Sequence, residues 1–159
     1  MKVWYLHGLE SDPGGPKVDF LKEVAEEVYA PAMNYKNHKT FGELYRKITK
    51  EGKPDLIIGS SMGGFFADAI ASHFGIDTIL LNPALHSRSM IKKLPYGNEY
   101  GSIDVFLGSE DKVIDPYKTI TKLQERKKEF NLTLGTYSHR TPLTVFKDIY
   151  KKTVIDAIK

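Results

Sequence analysis

Cysteine is absent from the 159 residues. That excludes a disulfide framework, a zinc finger, an iron–sulfur site and a cysteine nucleophile. Long apolar runs are missing too: Leu56-Ile57-Ile58 and Ile79-Leu80-Leu81 are a few residues each, far short of a membrane span. The start, Met1-Lys2-Val3-Trp4-Tyr5-Leu6-His7, has too short an apolar stretch for a signal peptide. A reducing cytoplasm is the expected compartment. Charge of one sign is not in large excess, with a net value of +3. The lysine pairs, such as Lys92-Lys93 and Lys127-Lys128, are scattered among acids. They read as solvated helix faces and not as a nucleic-acid patch. No histidine–carboxylate grouping has metal-ligand spacing, so a metal site is not expected.

What is present is ordinary globular composition, 41% hydrophobic and 27% charged. The length fits one domain, taken as 1–159. Short apolar runs alternate with stretches of helical spacing. Strands are expected at Lys2–Leu6, Asp55–Gly59, Asp77–Asn82, Ile103–Leu107 and Leu132–Tyr137, with a short edge strand at Val28–Ala30. Helical spacing runs over Val18–Val28, Phe41–Ile48, Ser60–Phe74, Tyr117–Phe130 and Pro142–Ile158. Strands separated by helices build βαβ units. An α/β domain follows, with a mostly parallel sheet of about six strands covered by helices on both faces. Ligands are expected at the carboxyl ends of the strands. The sequon Asn131-Leu132-Thr133 opens an expected core strand, which argues against its modification.

Between the strand ending at Gly59 and the next helix lies Gly59-Ser60-Ser61-Met62-Gly63-Gly64. Its Gly-x-Ser-x-Gly centres on Ser61. On a sharp strand-to-helix turn, such a serine projects its hydroxyl above the sheet from a strained backbone. The residues two before and two after come so close that both must be small. The helix start also aims N–H groups at developing negative charge. No Gly-Lys-Ser/Thr follows, which argues against a phosphate-binding loop.

A serine hydroxyl needs a base to take its proton, and the base needs an orienting acid. With this elbow the acid and then the histidine follow in the chain. His139 comes after the last expected strand, on the same side of the sheet as Ser61; His86 lies in an irregular segment. The acid belongs after Ile103–Leu107, where Glu110, Asp111 and Asp115 compete. Asp111 lies three residues past the turn glycine Gly108, near the strand tip, Asp115 reads as an N-cap before Pro116, and Glu110 reads as solvent-facing. Oxyanion donors are expected from the backbone N–H groups of Met62 and Leu9. His7 is taken to shape the His7-Gly8-Leu9 loop, and it is also kept as a substrate-binding candidate. Residues 84–101 are a mixed segment after the strand Asp77–Asn82, with Pro95 and Gly97 as breakers. His86, Met90 and Tyr96 are its substrate-binding candidates, with Ile91 and Leu94 as further walls. The site is expected to be open and shallow, favouring short acyl chains.

These pieces together resemble an α/β-hydrolase, and more narrowly the small bacterial YqiA-like esterases. Tyr5-Leu6-His7-Gly8, Ser11, Pro16-Lys17, the elbow at 59–64, Leu81-Asn82-Pro83-Ala84, Glu110–Asp115 and Ser138-His139-Arg140 run in family order over most of the chain. The resemblance implies a compact hydrolase core with a minimal cap. It implies cofactor-free hydrolysis of carboxylic esters, with thioesters as an extension, and by position Ser61, Asp111 and His139 as the triad. The expected partner is a small-molecule ester, with no nucleic acid and no membrane insertion. The rival reading is a hydrolase-like domain that binds a ligand without turning it over. Because the base must be neutral, activity is expected to fall below about pH 6–7.

Overall fold

The structure is a computed structural model and describes residues 1–9, 11–86 and 93–158. Six strands form one parallel sheet: β1 (Lys2–Leu6), β2 (Glu27–Tyr29), β3 (Leu56–Ser60), β4 (Asp77–Leu81), β5 (Ile103–Gly108) and β6 (Asn131–Gly135). Their order is β2-β1-β3-β4-β5-β6. The direction of winding reverses between β1 and β3, and a crevice opens at the carboxyl ends of strands flanking such a switch. His7-Gly8-Leu9 leaves β1 there, and Ser61 leaves β3.

Side-chain alternation sorts the core into two layers. Trp4 and Leu6 of β1 join Ile57, Leu80 and Val105 on one face; Val3 and Tyr5 join Leu56, Ile58, Ile79 and Leu81 on the other. Helices α2 (Thr40–Glu51), α3 (Met62–Ala71) and α4 (Pro116–Glu125) cover the first face. Helices α1 (Pro16–Val24) and α5 (Leu143–Tyr150) cover the second, through Val18, Leu21, Phe146 and Ile149. The strands β3 and β4 are buried on both faces along most of their length, which is why they read as unbroken apolar runs. Every residue of α3 is buried, so this helix lies in the middle of its layer.

Several boundaries differ from the spacing-based expectation. Helix α1 ends at Val24, which is 41% exposed. Val28, assigned to the same helical face, instead pairs with Val3 in β2. Helix α4 stops at Glu125, five residues before Phe130, and Lys127 takes a φ of 54° just beyond it. The closing helix changes its bonding pattern: α5 passes into a π-turn over Lys151–Ile155 and a 3-10 turn over Asp156–Ile158. β6 lies at the sheet edge and not in the core, with Leu132 39% and Leu134 45% exposed. Burial therefore does not hide Asn131, whose Nδ2 donates to Asp104 Oδ1 at 3.0 Å. Among the described residues, no helix is long and apolar enough to cross a membrane.

Candidate active site

Ser61 stands between β3 and α3 with φ 55° and ψ −117°. An L-residue reaches that backbone only at a cost of about 1–3 kcal/mol. The surroundings over-determine it. Ser61 N–H donates to Leu81 O at 3.0 Å, and Ser61 O accepts from Gly64 at 3.0 Å, Phe65 at 3.2 Å and Ala84 at 2.9 Å. The turn after β4, Asn82-Pro83-Ala84, thus clamps the elbow. The small residues are sterically required. A Cβ on Gly59 would meet the backbone of Gly63 and Gly64, and one on Gly63 would meet the backbone of Leu6 and His7.

The hydroxyl of Ser61 lies 3.0 Å from His139 Nε2, and His139 Nδ1 lies 2.8 Å from Asp111 Oδ2. A carboxylate can only accept, so Nδ1 carries the proton and Nε2 is left to accept from Ser61. Asp111 is fixed on its other oxygen: Oδ1 accepts N–H of Val113 at 2.8 Å and of Ile114 at 2.9 Å. Its side chain is 1% exposed and that of His139 22%. The imidazole therefore faces the cavity while its partner is sealed behind it. Of the three acids weighed after β5, only Asp111 touches His139. Asp115 caps α4, accepting from Tyr117 N–H at 3.0 Å, and Glu110 is exposed at the rim.

A cavity of about 950 Å³ opens over Ser61 and His139. Leu9 and Met62 line it, and among the described residues neither N–H donates to a protein acceptor. Met62 begins α3, where the first N–H groups lack intrahelical partners. A Cβ on Gly8 would approach Ser61 Cβ to 3.4 Å, so the first loop passes directly beside the hydroxyl. The remaining walls come largely from the acid loop: Lys112, Val113 and Ile114, with Ala84 and Arg140. Among the described residues no group of three or more metal-ligating side chains is present.

The substrate-binding candidates do not gather here. His7 is 4% exposed and fully engaged: Met33 N–H donates to Nε2 at 2.9 Å, which leaves Nδ1–H to donate to Gly8 O at 2.7 Å. Tyr35 also donates to His7 O. His7 braces the loop and does not line the Ser61 cavity; it lines an adjoining one with Tyr5, Ser11 and Lys17. His86 does not line that cavity; its Nε2 lies 3.3 Å from Asp115 O. Tyr96 lies at a separate cavity, where its hydroxyl donates to Asp68 Oδ2 at 2.7 Å. Leu94 belongs to the core. Met90 and Ile91 fall outside the described residues.

Sequence reasoning missed the group that holds Tyr96. Asp68, on the buried helix α3, also accepts from Arg126 Nη1 at 2.7 Å. Burial pushes the Asp68 carboxyl up, and Arg126 and Tyr96 draw it back. An acid in the middle of a helix of otherwise small and apolar residues was the available signal, since such a charge needs a buried partner.

The fold is that of the α/β hydrolases. The structure matches a protein of the alpha/beta hydrolase superfamily from Xanthomonas campestris pv. campestris at a TM-score of 0.75 and 19% identity, over 98% of this chain and 97% of that one. It matches an esterase of Pyrococcus furiosus at 0.71 and 16%, over 98% and 79% of the two chains. An S-formylglutathione hydrolase from Staphylococcus aureus gives 0.70 and 14%, over 99% and 84%. Among relatives by sequence, a UPF0227 protein of Vibrio cholerae serotype O1 is 25% identical over 148 residues, 77% of this chain and 83% of its own. A UPF0227 protein of Shewanella loihica is 29% identical over 110 residues, 64% of this chain and 61% of its own. The family model described as "Uncharacterised protein family (UPF0227)" matches residues 2–137, and the chain belongs to that family.

Proposed function

We propose that this protein is a cofactor-independent serine hydrolase that cleaves carboxylic esters with short acyl chains. The observation that carries this reading is the contact chain Asp111–His139–Ser61, at 2.8 and 3.0 Å, on a strained elbow beneath an open cavity. His139 Nε2 takes the Ser61 proton as Oγ attacks the ester carbonyl. The N–H groups of Met62 and Leu9 receive the developing oxyanion. The imidazolium, held by Asp111, then returns the proton to the leaving alkoxide as the C–O bond breaks, leaving an acyl-Ser61 ester. Water attacks that ester, giving a proton to His139, which returns it to Ser61 Oγ as the acyl C–O bond breaks and the acid departs.

The preference for short chains rests on the walls. The described apolar surface near Ser61 is confined to Leu9, Met62, Ala84, Val113 and Ile114, and Val113 is 69% exposed. Such walls cover a few methylenes and leave a long acyl tail in water. The test is hydrolysis of p-nitrophenyl esters of increasing length by wild type and Ser61→Ala. Activity should be lost in the variant, and kcat/KM should fall as the chain lengthens. Activity that survives Ser61→Ala sinks the mechanism, and a preference that grows with length sinks the substrate class. Oxygen, sulfur and nitrogen leaving groups on one acyl unit rank ester against thioester and amide.

A further inference from the structure

One buried amide outside the triad is tied to both loops that carry its acid and base. Asn82 closes β4 with φ 43° and is 1% exposed. Its backbone N–H donates to Phe106 O at 3.0 Å, which holds it level with the end of β5. The side chain bonds in two directions from there. Gly108 N–H donates to Oδ1 at 2.8 Å, and Nδ2 donates to His139 O at 2.6 Å. Gly108 opens the turn that bears Asp111, whose N–H donates to Gly108 O at 3.2 Å. One planar amide, acceptor on one side and donor on the other, thus spans from the base of the acid loop to the backbone of the histidine. The loops have little slack, since a Cβ on Gly108 would stand 2.7 Å from Ser138 O. Asparagine tolerates the left-handed backbone better than most residues.

We propose that Asn82 is a positioning residue for the reaction: it sets the height of the His139 backbone against Asp111 and Ser61. This rests on the hydrolase reading. The amide does not line the Ser61 cavity, so its influence falls on alignment and not on substrate binding. A displacement of the base by about 1 Å costs about 100-fold in rate. A merely structural amide would leave kcat of the folded protein alone and affect only its melting.

Asn82→Gly keeps the backbone conformation without strain and removes both amide bonds. The expected result on a short p-nitrophenyl ester is a kcat lower by about 10–100-fold, with KM changed by less than about threefold. The downfield proton resonance of His139 Nδ1–H, bonded to Asp111, should weaken or move upfield. A folded Asn82→Gly protein with wild-type kcat and an unchanged resonance overturns the proposal. Asn82→Asp gives a second reading if the glycine variant does not fold. Its carboxyl can serve His139 O only while protonated, so the kcat defect should deepen as pH rises through a range where wild type is flat. Wild-type kcat throughout that range also overturns the proposal. Failure of the hydrolase reading looks different: wild type itself shows no esterase activity. The His139 resonance then decides alone whether Asn82 holds the imidazole to Asp111.

Discussion

Replacing Ser61 by glycine should leave the protein more stable than replacing it by alanine, the reverse of the order at ordinary positions. The reason is the backbone at φ 55°, ψ −117°. A Cβ there costs about 1–3 kcal/mol, and glycine does not pay it. Against this, glycine loses more chain entropy on folding than alanine, about 0.5–1 kcal/mol. Both variants lose the contact to His139 Nε2, so that term cancels in the comparison. The balance favours glycine by up to roughly 2.5 kcal/mol. For a chain of this length that is a difference of up to about 10 °C in Tm. Scanning calorimetry of the two variants reads it directly, and because neither has the hydroxyl, activity does not enter. An alanine variant melting at or above the glycine variant would refute the claim that the elbow stores strain.

Further outcomes follow from individual contacts. Asp111→Asn should lower kcat by about 10⁴-fold, the size seen when a triad acid is neutralised. Asp115→Ala should cost about 1 kcal/mol of stability, as loss of an N-cap does, with kcat unchanged; the reverse pattern would move the acid to Asp115. Arg126→Ala leaves the Asp68 carboxylate buried without its cation and should cost about 3–5 kcal/mol. Asp68→Asn/Arg126→Met should recover much of that in denaturant melts, and no recovery would count against the pair as the cause. Burial pushes the Tyr5 phenol up to about 12. An unfolded tyrosine ionises near 10, so the unfolded chain releases this proton first as pH rises. Tyr5 therefore contributes stability that is whole below about pH 10 and lost towards about pH 12, at about 1.4 kcal/mol per pH unit. Denaturant melts of wild type and Tyr5→Phe across that window should differ in slope by this amount, and equal slopes contradict it.

Much of this fold was legible because its informative features are local. The elbow glycines declare themselves by spacing, and the parallel order follows from strands alternating with helices. His139 could be placed on the Ser61 side because both follow strand ends. What was not legible depends on neighbours distant in sequence. Alternation in Leu132–Leu134 marks a strand but does not say that β6 lies at the edge with both residues exposed. Val28 fits a helical face as well as it fits β2, and the pairing with Val3 decides. Tyr96 and His86 read as site residues because their segment follows β4. Yet a buried carboxylate 28 residues away in sequence holds Tyr96 elsewhere. Asn82 reads as the last residue of the strand Asp77–Asn82; only the crossing of loops at Gly108 and His139 gives its amide both partners.

The most direct measurement is the site of attack itself. The folded protein is treated with a fluorophosphonate, digested, and the modified residue located by mass spectrometry. A single adduct on Ser61, absent from Ser61→Ala and slowed in Asp111→Asn, is the expected result. Folded wild-type protein that remains unlabelled, or that carries the adduct on another residue, would contradict the assignment of Ser61 as an activated nucleophile.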